Sequence, residues 1–537
     1  MDRKIIQKLK QRTKQRNSKN QTIINALSLI LLFAVLIGLL FAVENSFETE
    51  PIIQGNPSRF TENTEPSEEV IVDIESNYCQ NTDAIADFLR KYELKEVDDF
   101  NQLTICMAGD SIFGRQDKGS AWNEKSPEIS YTPDTNDLSE VKFGYQTGHF
   151  PPNMWVQTIP YKTLELFQWD DADVKYFNHN AAEVVSEGDW IDAYPVPNDN
   201  IRAKYTSTVG ANMVFTFTGA THLKVIFPGY STATSRNAAL IIKFSTDDGI
   251  TWKTPEELGL VASMASESTK SGHYKLPLTT YKWGNICFKG FDENTVYKVK
   301  VTNNSSTRLS FWGFETWSKP RINVVVVAEG GNTAASQINS PQRFYSEMYN
   351  PSLIIYELPY LNDLGSGAIT RYMGKINPSS SAPVSPTVQD FYYCSQTGLY
   401  TYFGGIYATA GEYIEYDGTN WKLGSSQLDS VLNKYKTNNI TVFERLAKQG
   451  VPVAAIITHG GTYDAHRAFG PELAIPFFRE ELKKYNFTVL DIHGYQKAAG
   501  YYTTTNHIIH ADTTHLNDRG VQMYMKLISL LLPTGKS

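Results

Sequence analysis

The chain has 537 residues, too many for one compact core, and length alone implies roughly three or four domains. Aromatic residues make up 12% of it, with 31 Tyr and 27 Phe, which favours β-rich modules over helical bundles. The formal net charge of −8 hides an asymmetry: residues 1–22 carry eight Lys or Arg against Asp2, or +7, so the remainder holds −15, which argues against nucleic acid as a partner.

Residues 1–22 read as a basic cytoplasmic tail. Residues 23–43 are apolar except for Asn25 and Ser28, and at 1.5 Å per residue they match a hydrocarbon core of about 30 Å. Basic residues before this segment and Glu44, Glu48 and Glu50 after it predict a single-pass anchor with the N-terminus in the cytoplasm and the rest outside. The competing reading, a cleaved signal peptide on a secreted or virion-associated protein, meets a long basic region and a poor cleavage site at Ala42-Val43-Glu44. Residues 44–75, rich in Glu, Thr, Pro, Ser and Asn, cannot bury enough surface to fold and are expected to form a stalk. The four cysteines (Cys79, Cys106, Cys287 and Cys394) show no paired spacing, and a Cys79–Cys106 bridge stays open.

An amphipathic helix is predicted over 82–98, then a buried strand over 103–107 ending in Gly109-Asp110-Ser111. For about two hundred residues no further core strand follows. Short alternating runs over 213–218, 222–227, 238–244, 285–289, 296–302 and 308–315, set apart by turns such as Asp247-Asp248-Gly249, predict a β sandwich or jelly roll inserted at 120–318. The runs 322–328, ahead of Gly331-Asn332-Thr333, and 353–358, ahead of Asn362-Asp363, read as two more buried parallel strands. Tyr-rich short strands between 390 and 421 make a second, smaller β insertion at 377–424. It looks like the small β modules of phage tail proteins. Strands at 451–458 and 487–492, a helix over 471–485 and a last helix over 517–532 complete the α/β part, with Asp512-Thr513-Thr514-His515 just before that helix.

In this order the four short signatures resemble the SGNH/GDSL hydrolase superfamily of esterases, lipases and O-acetylesterases, which is built on a flavodoxin-like sheet. The resemblance implies a three-layer α/β/α core in three parts, 76–119, 319–376 and 425–537. It gives Ser111 of Gly-Asp-Ser the part of nucleophile, Gly331 and Asn362 those of oxyanion-hole donors, and Asp512 and His515 of Asp-x-x-His those of orienting acid and base. One departure stands out: Pro359-Tyr360-Leu361 precedes Asn362 where the family usually has Gly. The segment 213–219 with 245–252 looks similar to carbohydrate-binding jelly rolls, and a β insertion that merely walls the cleft fits it equally.

The chemistry asks for these residue types. A serine hydroxyl attacks only as a base takes its proton, which His515 would do while Asp512 holds the other ring nitrogen. The backbone N–H groups of Ser111 and Gly331, with the Asn362 amide, would meet the oxyanion. Taken singly, Asp512 reads as a helix cap and Gly331 as a tight turn. His507, His510 and His515 with Asp512 match no zinc spacing, so neither metal nor cofactor is expected, and His510 is the decoy. His459 and His466 fall in the loop after the fourth strand, either touching substrate or facing solvent.

The expectation is a serine esterase acting on an acetylated surface carbohydrate. Its alternatives are an acyltransferase and a non-catalytic surface-binding protein on the same scaffold. Because the large insertion leaves the core just after Ser111, it is expected to overhang the cleft and offer aromatic rings to sugars.

Overall fold

The computed structural model describes residues 77–110, 113, 159–179, 181–192, 204–227, 239–266, 270–275, 284–328, 333–339, 350–359, 363, 371–459, 475–499, 516 and 518–533. All of them belong to the compact unit Glu69–Ser537, and the unit Met1–Glu68 lies outside them, including the expected anchor at 23–43. No helix among the described residues is long and apolar enough to cross a membrane.

The protein is mixed α/β with several sheets. One six-stranded sheet consists of β1 (Cys79–Gln80), β2 (Gln102–Ala108), β3 (Arg321–Val326), β4 (Leu353–Glu357), β5 (Val453–Ile457) and β6 (Thr488–Asp491), in the spatial order β1-β6-β5-β4-β2-β3. β1 runs antiparallel to β6 and every other neighbouring pair is parallel. Counting the parallel strands alone, the order is 2-1-3-4-5, one of the two common doubly wound arrangements. β2, β4 and β5 are buried at every position, as strands covered on both faces must be.

Alternate residues of each strand serve opposite faces. Leu103, Ile105 and Met107 pack with the helices Ala86–Glu93, Ile159–Phe167 and Asp518–Ile528. Cys106 and Ala108 pack on the other side with Ser426–Lys448 and residues 475–481. The long helix Ser426–Lys448 starts where the Ser425 hydroxyl accepts the Leu428 N–H at 3.2 Å, an ordinary N-cap. Cys79 sits four strand spacings from Cys106, about 19 Å at ordinary sheet geometry, so the bridge left open by the sequence cannot form.

Two five-stranded antiparallel sheets form a sandwich. One comprises Val261–Ala262, Gly284–Lys289, His222–Phe227, Gly313–Trp317 and Lys175–Asn178; the other comprises His273–Lys275, Ala239–Ser245, Tyr297–Asn303, Asn212–Phe217 and Val184–Glu187. Between them lies an apolar core rich in Phe, with Phe215 and Phe314 stacked at 4.4 Å. A smaller four-stranded sheet of Tyr372–Ile376, Phe391–Cys394, Tyr413–Tyr416 and Trp421–Leu423 follows β4.

Ile159, Leu164, Phe167 and Trp169, within the 120–318 expected for the large insertion, are buried in the same cluster as Leu103, Ile105 and Met107 of β2. The connection that leaves β2 after Ser111, from which the sandwich is expected to overhang the cleft, lies outside the described residues except for Phe113. The described contacts of the sandwich are with the N-terminal ends of the strands: Trp317 donates from Nε1 to the Phe100 carbonyl at 3.0 Å, and Arg321, the first residue of β3, pairs with Glu315 of the sandwich and donates to the Gln102 side chain at 2.6 Å. Lys224 lies 3.1 Å from Glu315 and donates to Asn323 at 3.0 Å, while Arg321 meets Glu315 at 2.9 Å. All three charged side chains are buried. Burial alone would raise the Glu315 carboxyl, but Lys224 and Arg321 hold it below the usual carboxylate range. β2 then separates this junction from its own far end by about 20 Å.

Candidate active site

Ser111, Gly331, Asn362, Asp512 and His515 all lie outside the described residues. What the structure gives is the framework on either side of them. β3, β2 and β4 are neighbours in that order and point the same way, so the strand ends that precede Gly331, Ser111 and Asn362 stand side by side. The strand order reverses at β2, and crevices at such reversals, outside the carboxyl ends of strands, are where open α/β sheets bind ligands. Phe113, two residues past Ser111, and Leu516, next to His515, are buried in the same apolar cluster as Met107 and Tyr524.

Gly109 closes β2 against Glu357. A Cβ at Gly109 would stand 2.6 Å from Glu357 Oε2 and 2.8 Å from Glu357 Cβ, so no larger residue fits without displacing that side chain. The Asp110 N–H donates to Glu357 Oε2 at 3.2 Å. Both residues are buried, Glu357 completely. Burial, followed by the nearby Asp110 carboxylate, pushes the Glu357 carboxyl well above its usual range.

The network continues along the ends of β5 and the last helix. The Thr458 hydroxyl lies 3.4 Å from Glu357 Oε1 and donates to the Leu358 carbonyl at 3.1 Å. His459 Nδ1 lies 2.8 Å from the Tyr524 hydroxyl, and that phenol is raised well above its ordinary value by burial and by Glu357. A chain of buried polar groups thus links the turn before Ser111 to the helix after His515. His459 corrects an expectation: it follows the fourth parallel strand, but it is fully buried beneath the rim, neither facing solvent nor at the surface.

Asp363 joins two further segments. Its carboxylate accepts the Ala334 N–H with both oxygens at 3.2 Å, at the first turn of the helix Ala334–Asn339. Thr333 and Ser336 cap that turn reciprocally, at 2.8 Å and 3.0 Å. Burial pushes Asp363 up to about 7 against the Ala334 hydrogen bond, with Asp110 adding to the rise. The residue after Asn362 is therefore tied to the helix that follows Gly331.

Among the described residues no three His, Cys, Asp or Glu side chains are grouped to hold a metal, and His507, His510, His466 and the Asp512–His515 segment lie outside them. Glu357, Thr458 and Tyr524 are absent from the sequence expectations. The one available signal was a carboxylate closing the otherwise apolar run 353–358, since an acid in a two-sided buried strand needs a partner.

No protein-family model and no curated protein matches the chain. Solved structures similar to it include a family two carbohydrate esterase from Cellvibrio japonicus, at 8% identity over 67% of this chain and 99% of that one, with a TM-score of 0.18. Another is a family two carbohydrate esterase from Clostridium thermocellum in complex with cellohexaose, at 8% identity over 65% and 97%, with a TM-score of 0.22. A family 35 carbohydrate binding module from an environmental isolate is similar at 11% identity over 27% of this chain and 92% of the module, with a TM-score of 0.18.

Proposed function

We propose that the chain is a serine esterase of the SGNH/GDSL type, most simply an O-acetylesterase acting on a carbohydrate. The observation that carries the reading is the adjacency of the ends of β3, β2 and β4, with Phe113 and Leu516 in one cluster beside them. Past those ends the sequence supplies Gly331, Ser111 and Asn362, and just before Leu516 it supplies Asp512 and His515. The acetylated carbohydrate is the finer part of the proposal and rests on the sequence resemblance. A membrane anchor at 23–43 is a separate part of the proposal, resting on that apolar run and the charges flanking it, and membrane fractionation of the full chain would test it.

In this mechanism the Ser111 hydroxyl attacks the ester carbonyl carbon as His515 takes its proton, and Asp512 holds the resulting imidazolium. The carbonyl electrons move onto oxygen. The Ser111 and Gly331 N–H groups and the Asn362 amide receive that charge, each donor contributing roughly 3–4 kcal/mol. Collapse expels the alcohol, which takes the proton from His515, and water then releases acetate by the same steps.

Hydrolysis of p-nitrophenyl acetate tests the reading. Ser111→Ala should lower kcat at least about a thousandfold, and a fluorophosphonate should label wild type but not the variant. Activity within tenfold of wild type would sink the assignment. Acetate release from a panel of acetylated polysaccharides then tests the substrate, and transfer to added sugar at the expense of acetate would favour an acyltransferase.

A further inference from the structure

The buried carboxyl of Glu357 has no part in the mechanism above, yet it touches the last residues before the proposed nucleophile. Its Oε2 accepts the Asp110 N–H at 3.2 Å, and Gly109 approaches it so closely that only a hydrogen fits between them. Glu357 is fully buried and Asp110 is 2% exposed, so neither carboxyl is screened by water. The two side chains also hydrogen-bond one another. Two buried carboxyls in contact keep one proton between them, because both cannot be charged.

We propose that Glu357 is the positioning residue of the nucleophile turn, locking Gly109-Asp110, the two residues that lead into Ser111. The inference rests on the esterase reading. The Glu357 side chain reaches the Asp110 backbone and carboxyl on one side and Thr458 on the other, so the turn after β2 is fastened to the ends of β4 and β5. The titratable groups around the pair are Tyr356 in β4, Asp363 beyond it, His459 after β5 and Tyr524 on the last helix. Burial raises both phenols well above their ordinary range, and the two carboxyls add to that. Among the described residues none of these neighbours is a Lys or Arg, and a proton shared by the pair keeps its two carboxyls from repelling. Losing it at alkaline pH would push the nucleophile turn off β4.

The test uses the full chain and p-nitrophenyl acetate. Glu357→Gln still accepts the Asp110 N–H and donates to its carboxylate without a titrating proton. It should keep kcat within about fivefold of wild type at pH 7, and should lack the alkaline fall in kcat expected of wild type. Glu357→Ala should lower kcat about a hundredfold, the scale of a 1 Å misplacement, with KM within threefold and fluorophosphonate labelling slowed alike. The proposal is overturned if Glu357→Ala works within threefold of wild type, or if Gln and Ala are equally impaired in folded protein. Should Ala not fold, the Gln profile decides: an alkaline fall identical to wild type overturns the shared proton. Activity surviving in Ser111→Ala is a separate result, and removes the esterase reading itself.

Discussion

At Asp363 one carboxyl connects pH to stability. It carries a raised value, about 7, because burial outweighs the Ala334 hydrogen bond. An unfolded aspartate releases its proton near 3.9. Between those values the folded chain holds a proton that the unfolded chain has lost, so stability declines as pH rises from about 4 to 7. Asp363→Asn keeps an acceptor for Ala334 and removes the titration. Its melting temperature should fall less than that of wild type between pH 4.5 and 7.5, by calorimetry at fixed ionic strength. Parallel melting curves for the two proteins would dismiss the raised value.

At the scale of elements, the last helix is the mount for the proposed base. Its Tyr524 hydroxyl meets His459 in the interior, and Tyr524→Phe removes that partner from a buried imidazole. A loss of about 1–3 kcal/mol is expected in urea unfolding, the usual cost of undoing such a pair. Unchanged stability would show the hydroxyl to be idle. The elements themselves were largely legible: runs at 213–218, 222–227 and 285–289 fall on strands Asn212–Phe217, His222–Phe227 and Gly284–Lys289, the first alternating buried with half-buried positions and the other two being short apolar runs buried along most of their length. Two helices were missed. Ser426–Lys448 carries ten polar or charged residues in its first fourteen, which dilutes its apolar stripe, and Ile159–Phe167 sits in a stretch whose β neighbours suggested more sheet. Of the candidate site, the order of signatures and strand ends could be read from the chain. Glu357, Thr458 and Tyr524 could not be joined beforehand, since they meet only through the parallel register of β4 with β5 and the packing of the last helix.

Across the whole molecule, sandwich and α/β core share a buried ionic junction. Glu315 lies between Lys224 and Arg321, and Arg321 also stacks on Trp317 at 3.8 Å. Glu315→Gln leaves two cations buried against a neutral amide. That should cost about 3–5 kcal/mol, the range for removing one partner of a buried pair. Because both lobes meet there, tryptophan fluorescence and far-UV circular dichroism should report one coincident, earlier transition. A stability loss below 1 kcal/mol would mean that the junction is not a shared support.

The sandwich also enters and leaves at one place. Its first and last strands pair directly, Lys175 opposite Thr316 and Asn178 opposite Gly313. Gln102 of β2 and Arg321 of β3 are partners in the sheet although 219 positions apart in the chain. Bringing such distant residues together from a loose chain costs about 5 kcal/mol in closure entropy. Once the sandwich has formed, its own ends are already adjacent, and the segment left to close shrinks to about 80 residues, lowering that cost by about 1 kcal/mol. To the strands on either side, an entire folded module then counts kinetically as little more than a turn, so growth of the sandwich during synthesis hastens the pairing of β2 with β3.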